Sequence, residues 1–192
     1  MKKSGLIGSL CAGTVLMLAF SVSQAQTVAI NPISASASTG GTVSFSIEGS
    51  DFAMVDGSFD LSWDASVLTY NGDFAFDAAL VNETFWDKID LQAPGLLSIG
   101  FGDFGGITFG ATPTTIGSLS FTMIGAPGDS SALNMVDSAQ YAGFFDFDTL
   151  APITMTYNDG LATNPVPVPA AVWLFGSGLL GLVGIARRGK QH

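Results

Sequence analysis

Apolar and polar positions alternate in short runs along the middle of the chain. Val43, Phe45 and Ile47 alternate with Thr42, Ser44, Ser46 and Glu48, and Phe59, Leu61 and Trp63 alternate with Ser58, Asp60, Ser62 and Asp64. The same period of two recurs at Leu97-Ile99-Phe101, Leu119-Phe121-Met123, Leu133-Met135 and Ile153-Met155-Tyr157. Successive side chains of a strand point to opposite faces, so one apolar row beside one polar row predicts a half-buried strand whose polar row is solvated. Turn residues punctuate the runs at Gly40-Gly41, Asn71-Gly72-Asp73, Pro94-Gly95 and Ala126-Pro127-Gly128-Asp129. Many short strands with no long helical period predict an all-β fold, an antiparallel β-sandwich. Ala78 to Trp86 follows neither period and is expected to be a helical turn or a crossing loop.

Charge is distributed unevenly. Five of the six basic residues lie at the ends, at Lys2, Lys3, Arg187, Arg188 and Lys190. Between Gln26 and Asn164 the single cation Lys88 faces all 16 acidic residues, a net charge of −15. Such a surface repels phosphate backbones and anionic lipid, which excludes nucleic acid as a partner. Aromatic, Ile, Leu and Val residues recur through the same stretch, enough to bury a core in spite of the charge. The one cysteine, Cys11, and the one histidine, His192, lie at opposite ends. A middle region lacking both has no disulfide, no ordinary zinc site and no His-activated nucleophile, so catalysis is not expected.

The ends read as addresses. Lys2 and Lys3, the apolar run Leu6 to Phe20 and the small residues of Ser23-Gln24-Ala25 form a three-part secretory signal over residues 1–25, with cleavage between Ala25 and Gln26. The sandwich is then expected over 26–160 and a stiff Pro-rich linker over 161–169. The segment 170–186 holds 17 uncharged residues. As a helix it spans about 26 Å against a hydrocarbon core of roughly 30 Å, which predicts a single transmembrane helix. Arg187 and Arg188, in the basic tail 187–192, act as its stop on the cytoplasmic side.

The stretch Val166-Pro167-Val168-Pro169-Ala170-Ala171-Val172-Trp173-Leu174-Phe175-Gly176-Ser177-Gly178, ending in Arg187-Arg188, resembles the PEP-CTERM sorting signal. Val166, Pro167, Val168 and Pro169 stand where that family's name motif reads Pro-Glu-Pro. The resemblance implies processing by exosortase in a Gram-negative bacterium that makes exopolysaccharide. The chain would then sit transiently in the inner membrane through its C-terminal helix, and afterwards at the cell surface or in the extracellular matrix.

The middle region also resembles a family. Phe59-Asp60-Leu61-Ser62-Trp63-Asp64-Ala65-Ser66-Val67-Leu68-Thr69-Tyr70 is similar to a signature of cohesin domains, with Trp63 in place of the more usual Tyr. Gly41-Thr42-Val43-Ser44-Phe45, Gly95-Leu96-Leu97-Ser98-Ile99-Gly100-Phe101 and Ile116-Gly117-Ser118-Leu119-Ser120-Phe121 are similar to further cohesin strands, in the family's order. The resemblance implies a nine-stranded jelly roll, related to cellulose-binding modules, that binds a dockerin-like protein by one sheet face. The alternative is a carbohydrate-binding module acting on the exopolysaccharide. Flat rings stack on sugar faces, and Trp86 and Tyr141 are the candidates for that, whereas Trp63 falls on the core-facing row. Calcium is the one cofactor that the carboxylates admit, with Asp146 and Asp148 as candidate ligands, although no run reads as the regular Asp-x-Asp-x-Asp-Gly loop.

Overall fold

The computed structural model describes residues 25–167, together with 175 and 177–180. Most of the signal segment, Val168 and Pro169 of the sorting motif, most of the 170–186 helix, and Arg187 and Arg188 lie outside the described residues. Among the described residues no helix is long and apolar enough to cross a membrane.

Fourteen strand segments form two packed sheets. They are β1 (Thr27–Asn31), β2 (Ser34–Ser36), β3 (Thr42–Ser50), β4 (Phe52–Ser62), β5 (Leu68–Tyr70), β6 (Ala75–Phe76), β7 (Phe85–Ala93), β8 (Leu96–Phe109), β9 (Thr114–Met123), β10 (Ser130–Asp137), β11 (Phe144–Asp146), β12 (Pro152–Ile153), β13 (Thr156–Asn158) and β14 (Gly160–Thr163). The first sheet runs β13-β1-β3-β9-β5, with β6 also on β9. In the second, β4 is central. It pairs with β8 along one edge, and along the other with β10 near its end and β11 near its start. β7 extends that sheet beyond β8, and β14 and β2 extend it beyond β10. Only β1–β13 and β14–β2 are parallel pairs among these.

The inward rows are the apolar rows of the sequence. Val43, Phe45 and Ile47 of β3 and Leu119, Phe121 and Met123 of β9 face Phe59 and Leu61 of β4 and Leu97, Ile99 and Phe101 of β8, all buried. Each such side chain contributes roughly 1.5–3 kcal/mol when taken out of water. Trp63 lies just past β4, buried, and its Nε1 donates to Leu68 O at 3.1 Å.

Three expectations need correction. The segment ending at Trp86 is not irregular to its end, because β7 starts at Phe85 and pairs with β8 over its whole length. The sandwich does not stop at 160, since β14 pairs with β10 and β2. Asn164 then closes it, donating from Nδ2 to Thr39 Oγ1 at 2.9 Å and Gly125 O at 2.8 Å. Finally, the polar row of β4 is not solvated: Ser58 is 0% and Asp60 8% exposed.

The outer face of the second sheet as candidate functional site

The polar row of β4 is buried because the chain folds back over it. Between β10 and β11, residues 138–143 leave the sheet and lie across its outer face. Asp60 anchors the start of this turn: Oδ1 accepts from Ser138 Oγ at 2.7 Å and Ser98 Oγ at 2.6 Å, and Oδ2 accepts from Ala139 N at 3.2 Å. Ser58 anchors its end, since Oγ donates to Gly143 O at 3.0 Å and accepts from Gly143 N at 2.9 Å. A buried polar group without a partner costs about 1–3 kcal/mol, so this closed network is what permits hydroxyls and a carboxylate in a dry layer.

Aromatic rings occupy the neighbouring ground. Opposite β7, the outward positions of β8 are Ser98, Gly100 and Gly102. A Cβ on Gly102 would sit 2.5 Å from Trp86 Nε1, and one on Gly100 would sit 3.4 Å from Tyr141 and 3.6 Å from Trp86. The two glycines therefore form a track on which both rings rest. The Tyr141 hydroxyl donates to Asp90, and the Lys88 ammonium lies 5.5 Å above the Tyr141 ring and 3.4 Å from Asp90. The hydrogen bond from Tyr141 lowers the Asp90 pKa, and its bond to Asp90 raises that of Lys88.

The structure thus brings Trp86 and Tyr141, far apart in sequence, onto one surface. Trp86 is half-buried in a strand rather than free in a loop. Asp146 and Asp148 have a different setting. Asp146 Oδ1 accepts from Thr149 Oγ1 at 2.7 Å, Thr149 N at 2.8 Å and Asp148 N at 3.1 Å, so that oxygen caps the turn after β11. The Thr149 hydroxyl and amide hold its carboxyl below the usual range. Among the described residues no three carboxylates, histidines or cysteines gather as a metal set. Ala25 and Gln26 lead directly into β1, and Gln26 O accepts from Thr156 N at 2.8 Å, so the expected cleavage falls at the edge of the folded unit. Val166 and Pro167 follow the closing residue Asn164, and Val166 is exposed.

Sequence reasoning missed the 138–143 turn, whose only local signal was the run of small residues in Ser138-Ala139 and Ala142-Gly143. Asp56 lies on the outer face beside Gly102 and Phe145, and its Oδ1 is buried without a partner. Burial raises its pKa. Separately, Trp63, Tyr70, Leu91 and Pro94 line a shallow apolar pocket of about 190 Å³ at the β7–β8 hairpin end.

No protein-family model and no curated protein matches the chain. Solved structures do. The sixth cohesin of scaffoldin B from Acetivibrio cellulolyticus, solved in complex with the Cel5 dockerin, superposes with a TM-score of 0.60 at 18% identity, covering 73% of this chain and 99% of that one. The fold is that of a cohesin. The cohesin CaCohA2 from Clostridium acetobutylicum matches with a TM-score of 0.58 at 22% identity, over 76% of this chain and 96% of that one. A non-cellulosomal cohesin from the archaeon Archaeoglobus fulgidus matches at 0.56 and 17%, over 77% and 96%. The cohesin-like unit therefore spans nearly all of each solved domain, while the identity is low enough that fold alone is shared.

Proposed function

We propose that the protein is an exported, noncatalytic binding module that engages a dockerin-like protein partner through the outer face of its second sheet. The observation that carries this reading is the pairing of a cohesin fold with a built outer face, where Trp86 and Tyr141 rest on glycines beside a pinned turn. Rigid aromatic side chains with a polar surround are what binding surfaces are made of. Export and sorting complete the proposal: cleavage after Ala25, then reading of Val166 to Pro169 by exosortase, which leaves the module at the cell surface or in the matrix. Two proline substitutions, Pro167→Ala with Pro169→Ala, test this part, since a processing enzyme reads extended chain and a plain anchor does not. Release of the variant like the parent would remove the sorting step.

Trp86 packed against Gly100 and Gly102 also supports a second reading, stacking on a polysaccharide. One experiment separates the two. The chain from Gln26 on is immobilised beside its Trp86→Ala and Tyr141→Ala variants and offered the producing bacterium's secreted proteins and its exopolysaccharide separately. A protein retained by the parent and lost by the variants supports the first reading, polysaccharide retained in that way supports the second, and equal retention by all three chains removes this face from both.

A further inference from the structure

One end of the second sheet carries apolar side chains that its own fold leaves uncovered. Between Gly102 and Ile107, β8 breaks register with β4 and the residues 103–106 bulge outward. Phe104, in that bulge, is 79% exposed. The turn after β11 presents Phe147 at 40% and Leu150 at 64% exposure. These two loops touch. Gly106 has φ +81° and no side chain, and the Phe147 ring lies where its Cβ would be, 2.5 Å from that point.

Each loop is tied down by an aspartate side chain, buried in the first and at the surface in the second. Asp103, 3% exposed, accepts from Asn82 Nδ2, from Thr84 Oγ1 at 2.5 Å and from Gly105 N at 2.7 Å. Asp146 holds the other loop through Thr149 and Asp148, as described above. Leu150 itself is left-handed at φ +56°, a conformation that a branched apolar residue adopts only when its surroundings impose it. Large apolar groups fixed in place yet open to water mark an interaction surface rather than a loose loop.

Charge selects the partner. Asp146 and Asp148 sit in the patch, Asp56 lies on the adjoining row, and Lys88 is the only cation between Gln26 and Asn164. Two copies of a domain at −15 repel each other, and anionic lipid or acidic polymer is repelled likewise. The position fits an outward-facing role. The chain leaves the sandwich beside Ser130, beyond the Ser62 end of β4, whereas the patch lies beside Met54 and Asp56. Eight residues of strand separate those ends, about 26 Å. A module tethered by its C-terminus would turn this patch away from the tether.

We propose that Phe104, Phe147 and Leu150 form the apolar anchor site for a basic protein segment, one that presents an apolar or aromatic side chain among lysines and arginines. This inference rests on the reading of the protein as a binding module, and names the chemistry of its partner.

The test uses the chain from Gln26 on, in phosphatidylcholine nanodiscs, with a 15-residue lysine–phenylalanine peptide as probe and its glutamate–phenylalanine counterpart as control. The variants are Phe104→Ser and Leu150→Gly. Both residues are exposed, both substitutions leave the charge unchanged, and glycine suits the left-handed φ at 150, so neither threatens the fold. The expected result is binding of the lysine peptide alone, weakened by roughly tenfold or more in the double variant. Equal affinity of parent and double variant would overturn the proposal, because it would show charge acting without the patch. A parent that sediments as a dimer while the double variant is monomeric would overturn it too, by giving the patch to a second copy. The face carrying Trp86 and Tyr141 is read by its own variants, so either proposal can fail alone.

Discussion

The outer faces of the two sheets start from the same kind of sequence and end differently. On the first sheet the outward positions are Ser44, Ser46, Ser118, Ser120 and Thr122. Ser44 and Ser118 are exposed, and only Ser120 is buried, where the Asn71–Asp73 turn meets the sheet edge and Asp73 Oδ2 accepts from its hydroxyl at 2.5 Å. On the second sheet the outward positions Ser58, Asp60 and Ser98 are all buried beneath the 138–143 turn. Alternation tells which side chains leave the core, and does not tell what meets them on the other side. A short hydroxyl serves equally as a solvated surface and as a bonded layer, and the long-range partner decides which.

The sharpest way to break this comparison is Asp60→Ala. It removes the acceptor shared by Ser98, Ser138 and Ala139, and leaves the two buried hydroxyls, of Ser98 and Ser138, without the carboxylate to which they donate. The expected loss is about 2–4 kcal/mol, read as a lower denaturation midpoint. A loss below about 0.5 kcal/mol would mean that the turn does not seal this face.

What was legible follows from range along the chain. The core rows are local, and the residues named for them from alternation are buried, down to Trp63, except Tyr157, which is half-buried. Its row is split, Ile153 falling in β12 of the second sheet and Tyr157 in β13 of the first. The turns at Asn71-Gly72-Asp73 and Pro94-Gly95 are local too. Trp86 was misplaced because Phe85-Trp86-Asp87-Lys88-Ile89-Asp90-Leu91 starts with two aromatics together and breaks its alternation there; pairing with β8 makes it a strand. Asp103 gave no signal, since its three donors come from Asn82, Thr84 and Gly105, and only the last is near in sequence. The candidates Trp86 and Tyr141 could be named by residue type, but their adjacency depends on Gly100, which is remote from both.

A smaller effect tests the one unbalanced group on the covered face. Asp56 has a buried oxygen without a partner, and burial raises its pKa, so the folded protein holds its proton to a higher pH than the unfolded chain does. Between the unfolded and the raised folded pKa the native state binds more protons, and stability falls as pH rises through that window. At neutral pH the ionised carboxylate therefore opposes folding. Asp56→Asn should raise the melting temperature at neutral pH, and the gain should shrink as the pH drops below the ordinary carboxylate range, where the parent is protonated in both states. A gain that persists unchanged at acid pH would assign the effect to something other than the charge.

The smallest effect belongs to the open face. Ser44 of β3 is exposed and faces Ser120 across the β3–β9 pair. Threonine there adds a methyl that packs on the pleated surface, and β-branched residues suit an extended backbone. Nothing above Ser44 competes for the space, so Ser44→Thr should change stability by no more than a few tenths of a kcal/mol, toward gain. The same substitution at Ser58 meets the Gly143 backbone on which its hydroxyl bonds in both directions, and has no free side on which to place the methyl. Thermal denaturation of the two variants side by side isolates the turn as the cause, because residue, substitution and strand context are matched. Equal small shifts at both positions would show that 138–143 lifts away readily, and the two outer faces would then be alike in solution.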